Sequence, residues 1–399
     1  MRPLPEDRTG IRLSDVFLMI ALGTCGGYGC TWERTYGGAG GDTAWSVQQT
    51  ADGGFIIAGY TDSFGAGASN IWLVKTDLGG FQQWDKTFGI DGQDVGTSVQ
   101  QTADGGYVVA GYTSSLGAGS RDFWLVKTDA LGNEEWNKTF GGAGDDQGWA
   151  MQQTSDGGYV LAGLTWSFGA GSSDFWVVKT DPLGKEEWAR AYGGDTNDWA
   201  WDVQQTLDGG YIVAGRTQSF GAGGDDFWLV KTDALGNQEW DETYGGSGTD
   251  IAYALDRTTD GGYILAGVNG SFDAGGGDLW LVKTDALGVE EWAQTYGSAG
   301  LDRAFSVRQT TDGGYIAAGD TSSFSPLSDA DLWLVKTDTL GNEEWNRIHG
   351  GGNGDQAHSV EPTGQAGYIV AGWTISFGAG GSDFYVLRTD SLGNVPPSR

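Results

Sequence analysis

Apolar and polar positions along this chain fall into short β-rich runs separated by turn residues, and no window keeps a helical period over several turns. Between residues 97 and 140 the pattern predicts four strands: Thr97 to Thr102 (A), Tyr107 to Thr113 (B), Phe123 to Thr128 (C) and Glu135 to Phe140 (D). Asp104-Gly105-Gly106 reads as a hairpin turn, because glycine supplies the positive φ that such a turn needs. The stretch Asp129 to Asn133 turns C into D in the same way.

This four-strand unit recurs seven times. The Asp that ends strand C falls at Asp77, Asp129, Asp181, Asp233, Asp285, Asp338 and Asp390, spaced by 52, 52, 52, 52, 53 and 52 residues. Self-similarity at a fixed period outranks a domain count taken from length, and four-stranded antiparallel units of this size are the sign of a β-propeller. Six strands D carry a Trp ten residues before an Asp, as in Trp136 and Asp146, but the last unit stops at Asn394 with no such Trp. Trp32 to Tyr36 precedes Asp42 with that same spacing, so the chain begins with the strand its last unit lacks. The expectation is an all-β, seven-bladed propeller over 31–394 whose N-terminal strand closes the last blade, with a leader over 1–30 and a tail over 395–399.

Charge narrows the partners. With 22 basic and 53 acidic residues, net -31, the chain repels nucleic-acid phosphates and anionic membrane surfaces. No apolar run reaches the length of a membrane span. Cys25 and Cys30 both precede the repeats, so the body has no disulfide framework. Arg2, Arg8 and Arg12 before the apolar run Val16 to Leu22 resemble an export signal, and Leu22 to Cys25 resembles a lipoprotein cleavage box, which makes Cys25 a candidate lipid anchor. The expected setting is extracellular or cell-surface, and the expected state a monomer.

The run Gly-Gly-Tyr-Ile-Val-Ala-Gly, then Phe-Trp-Leu-Val-Lys-Thr-Asp and Gly-Asn-Glu-Glu-Trp, resembles the blades of WD-repeat and PQQ-type propellers. It is most similar to a repeat of secreted bacterial and archaeal propeller proteins. That resemblance covers about 31 to 394, implies an extracellular or surface setting, and carries no catalytic residue with it.

Residues that occur in nearly every blade read as structure. Trp in strands C and D fills the wedge between blades, and the strand C cation (Lys75, Lys127, Lys179, Lys231, Lys283, Lys336, Arg388) is expected to meet a carboxylate. Asp42 and its equivalents to Asp355 read as turn caps or lysine partners rather than calcium ligands, since the stacked turns of a calcium β-roll are absent. Gln48, Gln100, Gln152 and Gln204 read as a polar ladder. With His349 and His358 as the only histidines, no catalytic set can be assembled, and no cofactor or metal is called for.

Residues that break the repeat are better candidates for function. Trp166 and Trp199 stand where other blades carry unlike residues; Arg216, Asp320, Trp373 and the segment Ser325-Pro326-Leu327 also depart from the pattern. The D–A and B–C loops share one face, where Trp166 and Trp199 are expected to meet beside Trp149 and Trp201, flanked by Asp195, Asn197 and Asp198. Such a surface suits a neutral glycan. The alternative for Trp149 and Trp201 is packing between blades, in the slot of Trp45, Tyr253 and Phe305. The reading is therefore a non-catalytic propeller that binds a glycan or a protein. A polysaccharide hydrolase or lyase on the same scaffold, or a unit of a surface array, is the alternative.

Overall fold

The computed structural model describes residues 31–272, 275–325 and 329–396. The expected leader, Cys25, Cys30, Pro326 and Leu327 lie outside the described residues. Twenty-eight strands form seven four-stranded antiparallel sheets. In the second blade they are Asp94–Gln101, Tyr107–Thr113, Asp122–Thr128 and Glu134–Phe140, each paired with its neighbour in sequence. In the last sheet Asp355–Pro362, Tyr368–Thr374 and Asp383–Arg388 are completed by Trp32–Tyr36. Trp32 pairs with Arg388 and Tyr36 with Phe384, so the first strand closes the ring. Each strand A also touches the strands A of both neighbouring blades, which places the A strands around the axis.

Strand A begins earlier than its pattern suggests, at Asp94 rather than Thr97. The cause is a β-bulge at Thr97, where the register shifts between Gly96 and Ser98 and breaks the alternation that marks a strand. The leading Asp is therefore inside the sheet. Asp198 is fully buried and accepts from the Thr217 hydroxyl at 2.5 Å, Ser219 at 2.7 Å and the Gly194 N–H at 2.9 Å. These residues cap the loops, and the lysines have other partners.

The core lies between blades. Ile71, Leu73 and Phe88 of the first blade pack with Tyr107, Val109, Trp124 and Val126 of the second. Strand D Trp84 meets Tyr107 of the next blade edge-on at 5.6 Å. Above it, Gly132 turns at φ +75°, and a Cβ there would come within 2.7 Å of the Trp84 ring, so the turn needs glycine for two reasons. Strand C indoles are buried, and those facing Asp or Asn on strand D are hydrogen-bonded to it, as Trp72 to Asp85 at 3.0 Å and Trp228 to Asp241 at 2.9 Å.

The strand C lysines pair within their own blade. Lys127 meets Asp104 of the A–B turn and Glu135 of strand D, both at 2.9 Å, and donates to the Thr128 carbonyl. The Thr102 hydroxyl, against the opposing effect of partial burial, and then Lys127 and the Gly106 N–H hold the Asp104 carboxyl at about 2. Arg388 departs from the expected carboxylate partner. Its turn carries Gln365 in place of Asp, and the guanidinium donates to that carboxamide at 2.7 Å.

Candidate binding site in the axial cavity

The bulge recurs in every strand A, and it singles out one residue per blade: Trp45, Thr97, Trp149, Trp201, Tyr253, Phe305 and His358. A bulge re-aims its side chain, and all seven of these line an axial cavity of about 870 Å³. Six are rings in a closed circle of contacts. Trp45 meets Trp149 at 5.7 Å across the gap that Thr97 leaves, Trp149 meets Trp201 at 4.6 Å, and Trp201 meets Tyr253 at 5.4 Å. Tyr253 meets Phe305 at 4.9 Å, Phe305 meets His358 at 5.5 Å, and His358 stacks on Trp45 at 3.9 Å. Burial pushes the His358 imidazole down to about 4, so at pH 7 the belt is uncharged.

The bulge leaves a backbone N–H without its ladder partner, and the neighbouring blade supplies one. Val99 donates to Ser46 at 3.2 Å, Val360 to Ser306 at 3.1 Å and Leu255 to Asp202 at 3.0 Å. One step further along the strand, the side-chain carbonyls of Gln48, Gln100 and Gln152 accept from the N–H of Gln101, Gln153 and Gln205 at 2.5–2.7 Å. This is the polar ladder expected from the glutamines. It changes character after Gln204: the equivalent positions hold Asp256, Arg308 and Glu361. Arg308 has no acceptor to offer, and the residue facing it in the next blade is Pro362, which has no N–H.

The cavity is thus chemically two-sided. Its lining from the first three blades contains no charged residue, whereas the other four contribute Asp202, Arg216, Asp256, Arg257, Arg303, Arg308 and Glu361. Arg216 lies 3.9 Å over the Trp199 ring and pairs with Asp225 at 2.9 Å; Arg303 pairs with buried Asp320 at 2.6 Å. Burial, opposed by Arg308, pushes the Asp202 carboxyl up to about 6. The Nε1 atoms of Trp45, Trp149 and Trp201 are buried without an acceptor, unlike those of the strand C indoles. Such orphaned donors are uncommon in folded proteins and costly to keep.

Comparison with known proteins agrees with this architecture. The WD40 domain of Pan2 from Neurospora crassa superposes with a TM-score of 0.52 over 91% of this chain and 92% of its own, at 12% identity. Sqt1 from Chaetomium thermophilum gives 0.50 over 92% and 87%, also at 12% identity. The fold is that of WD40-type propellers. No family model matches the chain. One curated relative, the regulatory protein FlaEY of Caulobacter vibrioides, is 25% identical over 202 residues; the match covers 44% of this chain and only 21% of that protein's length.

The residues expected to form a site are distributed over this geometry. Trp149, Trp199 and Trp201 line the cavity; Trp166, Asp195, Asn197 and Asp198 do not. Trp199 touches Trp201 at 6.4 Å and donates to Ser173 at 2.7 Å, and Ser173 in turn donates to Asn197 at 2.9 Å. Trp166 is 52% exposed and follows strand B of the third blade, where its N–H bonds the Asp145 carbonyl of its own D–A loop. Among the described residues no ring contact links it to Trp199. Asp195 is exposed, and Asp198 is consumed by the loop it caps. The belt as an axial feature and the charged half were not expected from the sequence. A signal for the belt exists, since a small residue (Ala44, Gly96, Gly148, Ala200, Ala252, Ala304, Ala357) precedes every bulge residue.

Proposed function

We propose that this chain is a non-catalytic binding propeller, working outside the cell or at its surface, that holds a glycan against the aromatic belt of its axial cavity. One observation carries the reading: seven bulges turn seven residues to the axis, six of them rings, and three indole N–H groups there lack an acceptor. Rings give flat apolar contact to a sugar face, and a sugar hydroxyl accepts from an indole N–H. Trp199 with Arg216 extends this surface toward the D–A and B–C loops, and Trp166 adds an exposed indole on that side. The name of the curated relative is that of a regulatory protein, in keeping with binding rather than turnover. An enzyme reading would draw on Asp202, Asp256 and Glu361. These are already engaged: Asp202 accepts from Leu255 at 3.0 Å, Asp256 from Gln309 at 2.9 Å, and Glu361 pairs with Arg308 at 3.0 Å.

The test is a panel of neutral and acidic oligosaccharides titrated into the protein while the tryptophan emission is followed, beside an assay for released reducing ends. Saturable quenching that is weakened in Trp201→Ala, without release of reducing ends, is the expected result. Turnover by the wild type, or binding equal in both proteins, overturns the proposal.

A further inference from the structure

Among the described residues Arg257 is the one arginine whose guanidinium makes no hydrogen bond, ion pair or ring contact, and its Nε is buried. Every other arginine on the cavity has a carboxylate: Asp225 for Arg216, Asp320 for Arg303 and Glu361 for Arg308. Arg257 also departs from a contact that four other blades make. At its position Gln101, Gln205, Gln309 and Gln49 accept the N–H of the preceding blade's A–B turn, from Ala51, Ser155 and Thr259 at 2.8 Å and from Gly364 at 3.1 Å. A guanidinium has only donors, so the corresponding N–H of Leu207 loses its inter-blade acceptor. The substitution removes a bond between blades and places an unpaired cation on the cavity of a chain whose net charge is -31. Arg257 is half-buried and its Nε is enclosed without an acceptor, a donor that the chain leaves unmet on the cavity side.

We infer that Arg257 anchors a carboxylate of the ligand, which makes that ligand a uronate-bearing oligosaccharide; this rests on the glycan reading above. A carboxylate matches the planar fork of one guanidinium through two parallel bonds. The adjacent Asp256 disfavours a more highly charged group, because like charges repel at close range. Four residues separate the belt residue Tyr253 from Arg257, roughly 13 Å of strand, so a ligand that touches both is longer than one sugar ring. The neutral half of the cavity then faces the hydroxyl edges and the charged half the acid. This narrows the neutral glycan expected from bulk charge to an acidic one admitted at a single point.

The experiment compares binding of tri-galacturonic acid, its methyl ester and neutral oligosaccharides to the wild type and to Arg257→Gln. That variant restores the residue that five of the other blades carry, so its melting temperature should equal or exceed that of the wild type. Tight binding of the free acid, weakened about ten- to a hundredfold by esterification and by Arg257→Gln alike, is the expected result. If neutral sugars bind and the acid gains nothing from Arg257, the inference falls while the glycan reading stands. If no oligosaccharide of the panel binds, both fall.

Discussion

Strand C and strand A answer to different surroundings. Strand C is written almost identically in six blades, Phe, Leu or Ile and then Trp-Leu-Val-Lys-Thr with one Val for Leu, and every copy is buried against a neighbour that is itself a copy. Strand A keeps its leading Asp and its bulge, but the side chains it presents to the axis run from Trp45 through Thr97 to His358, and from Gln48 to Arg308. A wall whose partner repeats is free to repeat, since one packing solution serves every junction. The axis has no repeating partner. Its residues can diverge without cost to the junctions, and the divergence is concentrated on blades four to seven.

This contrast can be broken from either side. Deleting residues 31–37 removes the outer strand of the last blade and exposes an open edge, so several kcal/mol of stability should be lost, or the protein should aggregate. A truncated chain melting with the full-length one would mean the ring does not depend on closure. Next in size, Trp228→Ala in strand C should cost about 3–5 kcal/mol by denaturant unfolding, because the buried indole fills the wedge between blades. Trp201→Ala on the axis should leave unfolding nearly unchanged and instead weaken ligand binding by about 1–3 kcal/mol, with Trp199→Ala and Trp166→Ala tested beside it. Equal stability losses for Trp228→Ala and Trp201→Ala would erase the distinction between wall and axis.

A smaller effect should appear at the loops that join the two regions. Asp174 is buried beside Asp198, and burial and then that neighbour push its carboxyl up to about 6. A carboxyl whose folded pKa is raised holds its proton in the folded chain at pH values where the unfolded chain has released it. Its contribution therefore falls as pH rises from about 4 toward 6, and the loss persists above that. Asn70 already fills this position in the first blade. Asp174→Asn should raise the melting temperature at pH 7 by a few degrees and have little effect at pH 4, as scanning calorimetry at both pH values would show. The smallest expected effect is that of a chelator, which should leave the melting temperature in place; a large drop reversed by calcium would show that the Asp loops bind the ion.

What could be read from the sequence follows the same division. The blade count, strand order and closure were legible because Trp136 and Asp146, or Trp32 and Asp42, repeat at fixed spacing, and repeated spacing reports repeated packing. The lysine partners were legible in kind, because a buried amine needs a carboxylate, though Gln365 shows the rule giving way where the turn changes. The axial belt was hidden by its own cause: a bulge disrupts the period of two that reveals which face a residue takes, so Trp149 and Trp201 were expected beside Trp166 and Trp199 on the loop face, with packing between blades as the alternative, and not on the axis. Asp256, Arg308 and Glu361 continue the glutamine ladder in a different chemistry, and only the register across blades joins them to Gln48. Trp166 and Trp199 differ from the repeat equally in sequence, yet one is turned to the axis and pinned by Ser173 and Arg216 while the other stays outside.

The closing strand also separates the unit of sequence from the unit of structure. Each repeat of 52 or 53 residues, read from Trp32 onward, supplies the fourth strand of one sheet and the first three of the next, as Trp32–Tyr36 and the strands that follow it show. Tandem duplication of such an offset segment leaves complementary ends whatever the number of copies, so a gene could gain or lose a blade and still join its ends. For the same reason a circular permutant opened at another D–A loop, with residues 396 and 31 linked, would carry the same kind of seam at a new junction. Blade number is then a property of how many wedges fit around the axis, and the ends of the chain do not dictate it.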